Sequence, residues 1–176
     1  AALNTITERF AIKLNADLIA PPQTLKNHIT KARDIVVQDI NNVLYLISNT
    51  GTILWKKQLK SKLLGTVKQL DLFKNGELQL AFTTANALYV LDRSGKAIAP
   101  FPIKFNDEIT QPLSVFDYDK NRKYRLLVTQ GKNVLMYDAK GKTVKGFTFK
   151  SAENIINHQP QHFRIGRKDC KICSAS

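Results

Sequence analysis

The sequence predicts an all-β fold, a β-propeller segment of about 3.5 four-stranded antiparallel blades. Three observations predict it. The aromatic residues Phe10, Trp55, Phe101 and Phe147 recur 45, 46 and 46 residues apart. Each opens a similar phrase: FAIKLNADLIAP, WKKQLKSKLLG, FPIKFNDEITQP and FTFKSAENIINHQP. Between them apolar and polar residues alternate with the two-residue period of a strand, and almost no stretch places apolar residues at helical spacing. A fixed period near 45 residues selects a propeller over a β-helix solenoid, whose coils are much shorter.

Blades are expected at about residues 15–60, 65–105, 112–150 and 158–173, the last incomplete. The first opens with QTLKNHI and continues with DIVVQD at Asp34–Asp39. Its third strand is NVLYLIS at Asn42–Ser48, and TILWKKQL at Thr52–Leu59 carries Trp55, expected as a packed core aromatic. The second blade begins VKQLDLF–KNG–ELQLAFTT over Val67–Thr84 and continues with NALYVLD at Asn86–Asp92. The third repeats this as LSVFDYD–KNR–KYRLLVTQ over Leu113–Gln130, then NVLMYD at Asn133–Asp138. Each third strand ends in a polar turn bearing Gly51, Gly95 or Gly141, where glycine accepts a positive φ at little steric cost. A lone fourth strand is expected near Phe10, and two strands of a further blade around His162–Ile165 and Asp169–Cys173.

Closure has two solutions. The Phe10 strand completes the last blade and closes a small ring, or the chain is a fragment whose terminal edges are covered by a protein partner or by missing blades. The strand count favours the fragment. Ala1 in place of a starting Met suggests a processed or trimmed chain.

The chain has 176 residues, 43% of them hydrophobic, enough for one domain with a substantial core. No apolar run reaches the length of a membrane-spanning helix. Two cysteines are too few for a disulfide framework. The net charge of +13 is spread along the sequence, eleven basic against six acidic residues in 1–88 and sixteen against eight in 89–176. Lysine-rich surfaces commonly protect strand edges, and positive charge also attracts anionic polymers.

Gly51-Thr-Ile-Leu-Trp55, preceded by Leu44-Tyr45-Leu46-Ile47, and the turns Asp92-Arg-Ser-Gly95 and Asp138-Ala-Lys-Gly141 carry a family likeness. The repeat resembles the quinoprotein-type (PQQ-like) propellers, in which a strand, a D/N-x-x-G turn and a tryptophan four residues after the glycine recur in every blade. The resemblance implies a propeller of degenerate blades, and a periplasmic or exported bacterial protein. The sequence departs from the pattern at three places. Ser48 stands where the acid or amide is expected, the tryptophan occurs once, and Phe101 and Phe147 sit at a shifted offset. The adjacent cysteines and acidic cofactor contacts of a quinoprotein dehydrogenase are missing, so no cofactor is expected.

Alternating chain direction places the first–second and third–fourth turns of every blade on one face. That face gathers Lys74, Arg93, Lys96, Lys120, Arg122, Lys123, Lys140, Lys142, Arg167 and Lys168, with Asp71, Asp92, Asp117, Asp119 and Asp138 among them. The other face carries Asp17, Asp39, Asp107, Glu108 and Glu153 against Lys60, Lys62, Lys104, Lys132 and Lys150.

Asp117-Tyr-Asp119-Lys-Asn121 has the alternating oxygens of a calcium loop, but lysine and arginine intrude and a polar Asx-type turn is the expected reading. His158, His162, Cys170 and Cys173 offer the nitrogen and sulfur donors that zinc prefers, at an inverted order and short spacing, so tail or buried thiols are expected instead. His28, His158 and His162 fit no hydrolase motif, and the glycines form no phosphate loop. Tyr45 and Tyr89 recur at one repeat position and are expected to pack between blades.

No catalytic, cofactor or metal residue is therefore assigned. The expected function is a non-enzymatic repeat module for protein or ligand binding or scaffolding. Two alternatives stand: a piece of a quinoprotein-like enzyme whose catalytic residues lie elsewhere, and an anionic-polymer binder using the basic face.

Overall fold

A computed structural model describes residues 10–149, 151–165 and 168–172. They form antiparallel sheets of four, four and three strands, none closed on itself, and a two-stranded hairpin. Among the described residues no helix is long and apolar enough to cross a membrane. The chain divides between Leu59 and Lys60 into two compact units.

In the first unit, β1 (Gln23–Lys26), β2 (Arg33–Gln38), β3 (Val43–Ile47) and β4 (Ile53–Gln58) follow one another as a meander in the order β1-β2-β3-β4. The β2–β3 turn is built by Asp39, whose Oδ1 accepts the amides of Asn41 (3.0 Å) and Val43 (2.9 Å). Asn42 takes a φ of 64°, a left-handed conformation that asparagine tolerates better than most residues. Alternation along β3 sends Tyr45 and Ile47 into a cluster with Val37, against which Ile12 and Leu14 pack from the N-terminal side. Leu44 and Leu46, each 1% exposed, occupy the intervening positions. Residues 10–14 thus form part of the core of this unit, but the strand expected at Phe10 is not formed among them.

The second unit repeats the meander. Its first sheet contains β5 (Leu63–Leu70), β6 (Gln79–Thr84), β7 (Ala87–Leu91) and β8 (Ile103–Lys104); its second contains β9 (Ser114–Phe116), β10 (Arg125–Gln130) and β11 (Asn133–Asp138). Leu88 and Val90 of β7, Leu113, and Leu126 and Val128 of β10 share one cluster with Phe101, so these two sheets stack face to face. Leu127, Val134 and Met136 alternate to the far side of the three-stranded sheet and bury Ile156. The registers are the same one repeat apart: Ala81 faces Val90 as Leu127 faces Met136, and Thr83 faces Leu88 as Thr129 faces Val134. The hairpin β12 (Gln161–Ile165) and β13 (Lys168–Ile172) follows, pairing Phe163 with Cys170.

Two expectations are corrected. Among the described residues no strand runs through Phe147, and the sheet of the third repeat has three strands with a single bridge from Ser151 to Asn133 beside them. Val144 bonds Met136 as Ile98 bonds Val90, but the next matched bonds are Ala152 to Lys132 and Phe105 to Asn86. One additional residue lies between them in the third repeat, and Gly146 turns the chain at a φ of 82° within that stretch. The extra residue shifts the pairing by one position: Ser151 bridges Asn133 as Lys104 pairs with Ala87. Trp55 is also not the buried anchor expected of it. It is half-buried on the outermost strand, where four of the five other residues are exposed, whereas Phe101, 4% exposed, is in the core. The glycine-to-aromatic spacing of four residues in the first repeat, against six in the others, leaves no room for the inward loop that carries Phe101.

Candidate functional site

The turns after β3, β7 and β11 share one hydrogen-bonded frame. The amides of Gly51, Gly95 and Gly141 donate to the carbonyls of Ser48, Asp92 and Asp138 at 3.0–3.1 Å. Side chains complete the frame: Ser48 Oγ accepts the Thr52 amide at 3.0 Å, Asp92 Oδ1 the Lys96 amide at 3.0 Å, and Asp138 Oδ1 the Lys142 amide at 2.9 Å. Serine does in the first repeat what aspartate does in the others, because a single acceptor oxygen suffices. Gly141 is further required by space. A Cβ there would lie 2.6 Å from Pro100 Cγ of the neighbouring repeat. Gly51 has the same relation to Phe10, whose ring would meet a Cβ at 3.0 Å.

The turns between first and second strands carry a second recurrent frame. Asp71 Oδ1 and Oδ2 accept the amides of Asn75 and Gly76, each at 3.0 Å. Asp117 Oδ1 and Oδ2 accept those of Asn121 and Arg122, also at 3.0 Å. Both oxygens of Asp117 therefore serve the Asx-type turn, the arrangement weighed above against a calcium loop. Arg122 reaches from the third repeat to Asp71 of the second, Nη1 to Oδ2 at 2.9 Å, and the Asp71 amide donates to the Tyr124 hydroxyl at 3.3 Å.

Antiparallel order puts these turns at one end of each sheet. Lys74, Lys96, Lys120, Arg122, Lys123, Lys140 and Lys142 are exposed there, and Arg93 is half-buried. Asp71, Asp92, Asp117 and Asp138 sit among them as acceptors for turn amides. Lys168 lies in β13, while Arg167 and, at the other end, Lys150 fall outside the described residues.

A recess of about 440 Å³ opens in the first unit, lined by Asn15, Asp39, Asn41, Val43, Tyr45, Lys56 and Gln58. Its buried centre is a Tyr45 hydroxyl donating to Asp39 Oδ2 at 3.0 Å. Burial first, and then the hydrogen bond and negative charge of Asp39, push the Tyr45 phenol above its ordinary value. It is consequently a fixed donor. Asp39 accepts three hydrogen bonds, from Tyr45 and from the Asn41 and Val43 amides. The pair holds the turn, and the polar groups left at the rim suit hydrogen bonding to a ligand better than proton transfer.

The recess recurs in the second unit at about 450 Å³. By strand register Asp39, Val43 and Tyr45 correspond to Gln130, Asn133 and Leu135, which line it together with Phe147 and Phe149. The cavity is therefore made by the repeat, and only its lining varies, polar in one copy and aromatic in the other. The sequence missed the Asp39–Tyr45 pair; its signal was an acid and a tyrosine six residues apart across a hairpin. Tyr89, at the matching position, stacks instead on Phe82 with ring centroids 5.1 Å apart.

Of the four zinc-type ligands, His162 lies edge-on to Tyr118 at 4.5 Å and 5.7 Å from the Phe116 ring, and His158 is exposed. The Cys170 backbone lies in β13, and Cys173 falls outside the described residues. No group of three or more metal-binding side chains occurs among the described residues. Neither a protein-family model nor a curated protein matches this chain.

Proposed function

We propose that the chain is a run of β-propeller blades acting as a non-enzymatic binding or scaffolding module for a protein or ligand. The observation that carries this reading is the recurrent turn frame at Ser48, Asp92 and Asp138. Each frame holds its own backbone through one side-chain acceptor and leaves the intervening residues free to differ: Asn49-Thr50, Arg93-Ser94 and Ala139-Lys140. Fixed turns with variable tips, mounted on stacked sheets, suit recognition. The aspartates that a catalyst would draw upon are occupied by backbone amides, which supports binding over proton transfer.

The test is selection of ligands from a displayed library of random peptides, followed by replacement of Lys74, Arg93, Lys120 and Lys140 with serine. Binding that falls with these tip replacements and is kept in Tyr45→Phe supports the reading. Binding that ignores the tips overturns it.

A further inference from the structure

Residues 10–14 have the sequence and packing of a fourth strand, but the third strand that such a segment pairs with is not among the described residues. FAIKLN at Phe10–Asn15 matches FPIKFN at Phe101–Asn106, 91 residues later. The correspondence extends to hydrogen bonds: Ile19 donates to the Gln38 carbonyl at 2.9 Å, as Thr110 donates to that of Thr129 at 2.9 Å. It extends to packing as well. Ile12 and Leu14 lie against Val37, Tyr45 and Ile47 of the following sheet, as Ile103 and Phe105 lie against a cluster holding Leu126 and Val128.

The difference is on the backbone edge. Ile103 and Lys104 pair with Leu88 and Ala87, and the Phe105 amide donates to the Asn86 carbonyl at 2.9 Å. The corresponding residues Ile12, Lys13 and Leu14 have no ladder partner among the described residues. Alternation aims the Ile12 and Leu14 amides at that edge, since they occupy the positions of Ile103 and Phe105. No counterpart of β7 stands against this edge among the described residues.

We propose that the edge at Ile12–Leu14 takes up an extended segment from outside these 176 residues, with the third-strand pattern Asn, aliphatic, Leu, Tyr, two aliphatics and Ser or Asp. The inference rests on the propeller reading and names the partner it calls for. The pattern is that of NVLYLIS and NALYVLD, the segments that fill this position in the first two repeats. Backbone pairing supplies attraction, and alternate apolar side chains supply selectivity. Both edges of an unpaired strand segment are otherwise a template for uncontrolled association.

The probe is a synthetic peptide NALYVLDRSG titrated onto the full chain, with amide exchange followed residue by residue. Saturable binding with new protection at the Ile12 and Leu14 amides is expected. In the peptide, the residue matching Leu88 aims its backbone at the edge and the one matching Tyr89 aims away. N-methylation at the first should weaken binding about tenfold or more, and at the second much less. No binding, or binding that leaves Ile12 and Leu14 unprotected, overturns the inference. If in either case the β5–β8 and β9–β11 amides remain protected in the free chain, the blade reading stands and the edge proposal alone fails.

Discussion

Replacing Gly141 with alanine tests whether the recurrent turns are seated against the neighbouring repeat. Gly76 and Gly141 both lie in the left-handed region, at φ of 85° and 71°, so alanine meets a similar backbone penalty at each, about 1–2 kcal/mol. Their surroundings differ. A Cβ at Gly76 meets nothing within 4 Å, whereas at Gly141 it stands 2.6 Å from Pro100 Cγ and 3.2 Å from Ile103 Cδ1. Pro100 is a rigid ring carried by the loop that leads into Phe101, so it gives way only by moving that loop. Forcing a methyl into a packed site costs about 1–3 kcal/mol. Gly76→Ala should thus lose about 1–2 kcal/mol and Gly141→Ala about 2–5 kcal/mol. Urea unfolding followed by circular dichroism reads both, at unchanged slope. Equal losses at the two positions would refute the seating of this turn on the adjacent repeat.

Three further outcomes are expected. Phe101→Ala should cost about 3–5 kcal/mol and Trp55→Ala about 1–2 kcal/mol, since only the first empties a buried site; thermal or urea unfolding of both variants checks the order. Tyr45→Phe should cost about 1–3 kcal/mol by stranding Asp39 Oδ2. Because folding raises the Tyr45 pKa, its contribution is fully present below the unfolded value of 10.0 and is lost as pH rises above it. Alkaline unfolding of the native chain should therefore begin above that pH, and the decline should be shallower in Tyr45→Phe. Arg122→Ala should cost no more than about 1 kcal/mol, because the arginine is half exposed, while Asp71→Ala should cost about 2 kcal/mol by freeing two turn amides.

Most strands were legible because their alternation is strict and their ends are marked. β11 runs Asn133–Asp138, as its sequence indicates, bounded by Gly131 before it and the Gly141 turn after it. The displaced fourth-strand pairing of the third repeat was not legible. FTFK reads like FPIK, but a one-residue difference after Val144 moves the contact with β11 on to Ser151. Trp55 misled for a related reason: a tryptophan signals burial by its size, but its outermost strand was set by the meander order. At the candidate sites, the turn aspartates were legible by residue type and their occupation by amides was not. Asp117 reads as a metal ligand or a cap equally well until its two acceptor bonds are placed.

The most direct test of the account is a map of cross-strand proton contacts by nuclear magnetic resonance in the second unit. A structural repeat requires contacts between Thr83 and Leu88, and between Ala81 and Val90, to recur 46 residues on between Thr129 and Val134 and between Leu127 and Met136. Both sets observed together would establish that one blade pattern is built twice. Either set missing, or shifted by one residue so that Leu135 takes the place of Met136, would contradict the repeat on which the proposed function stands.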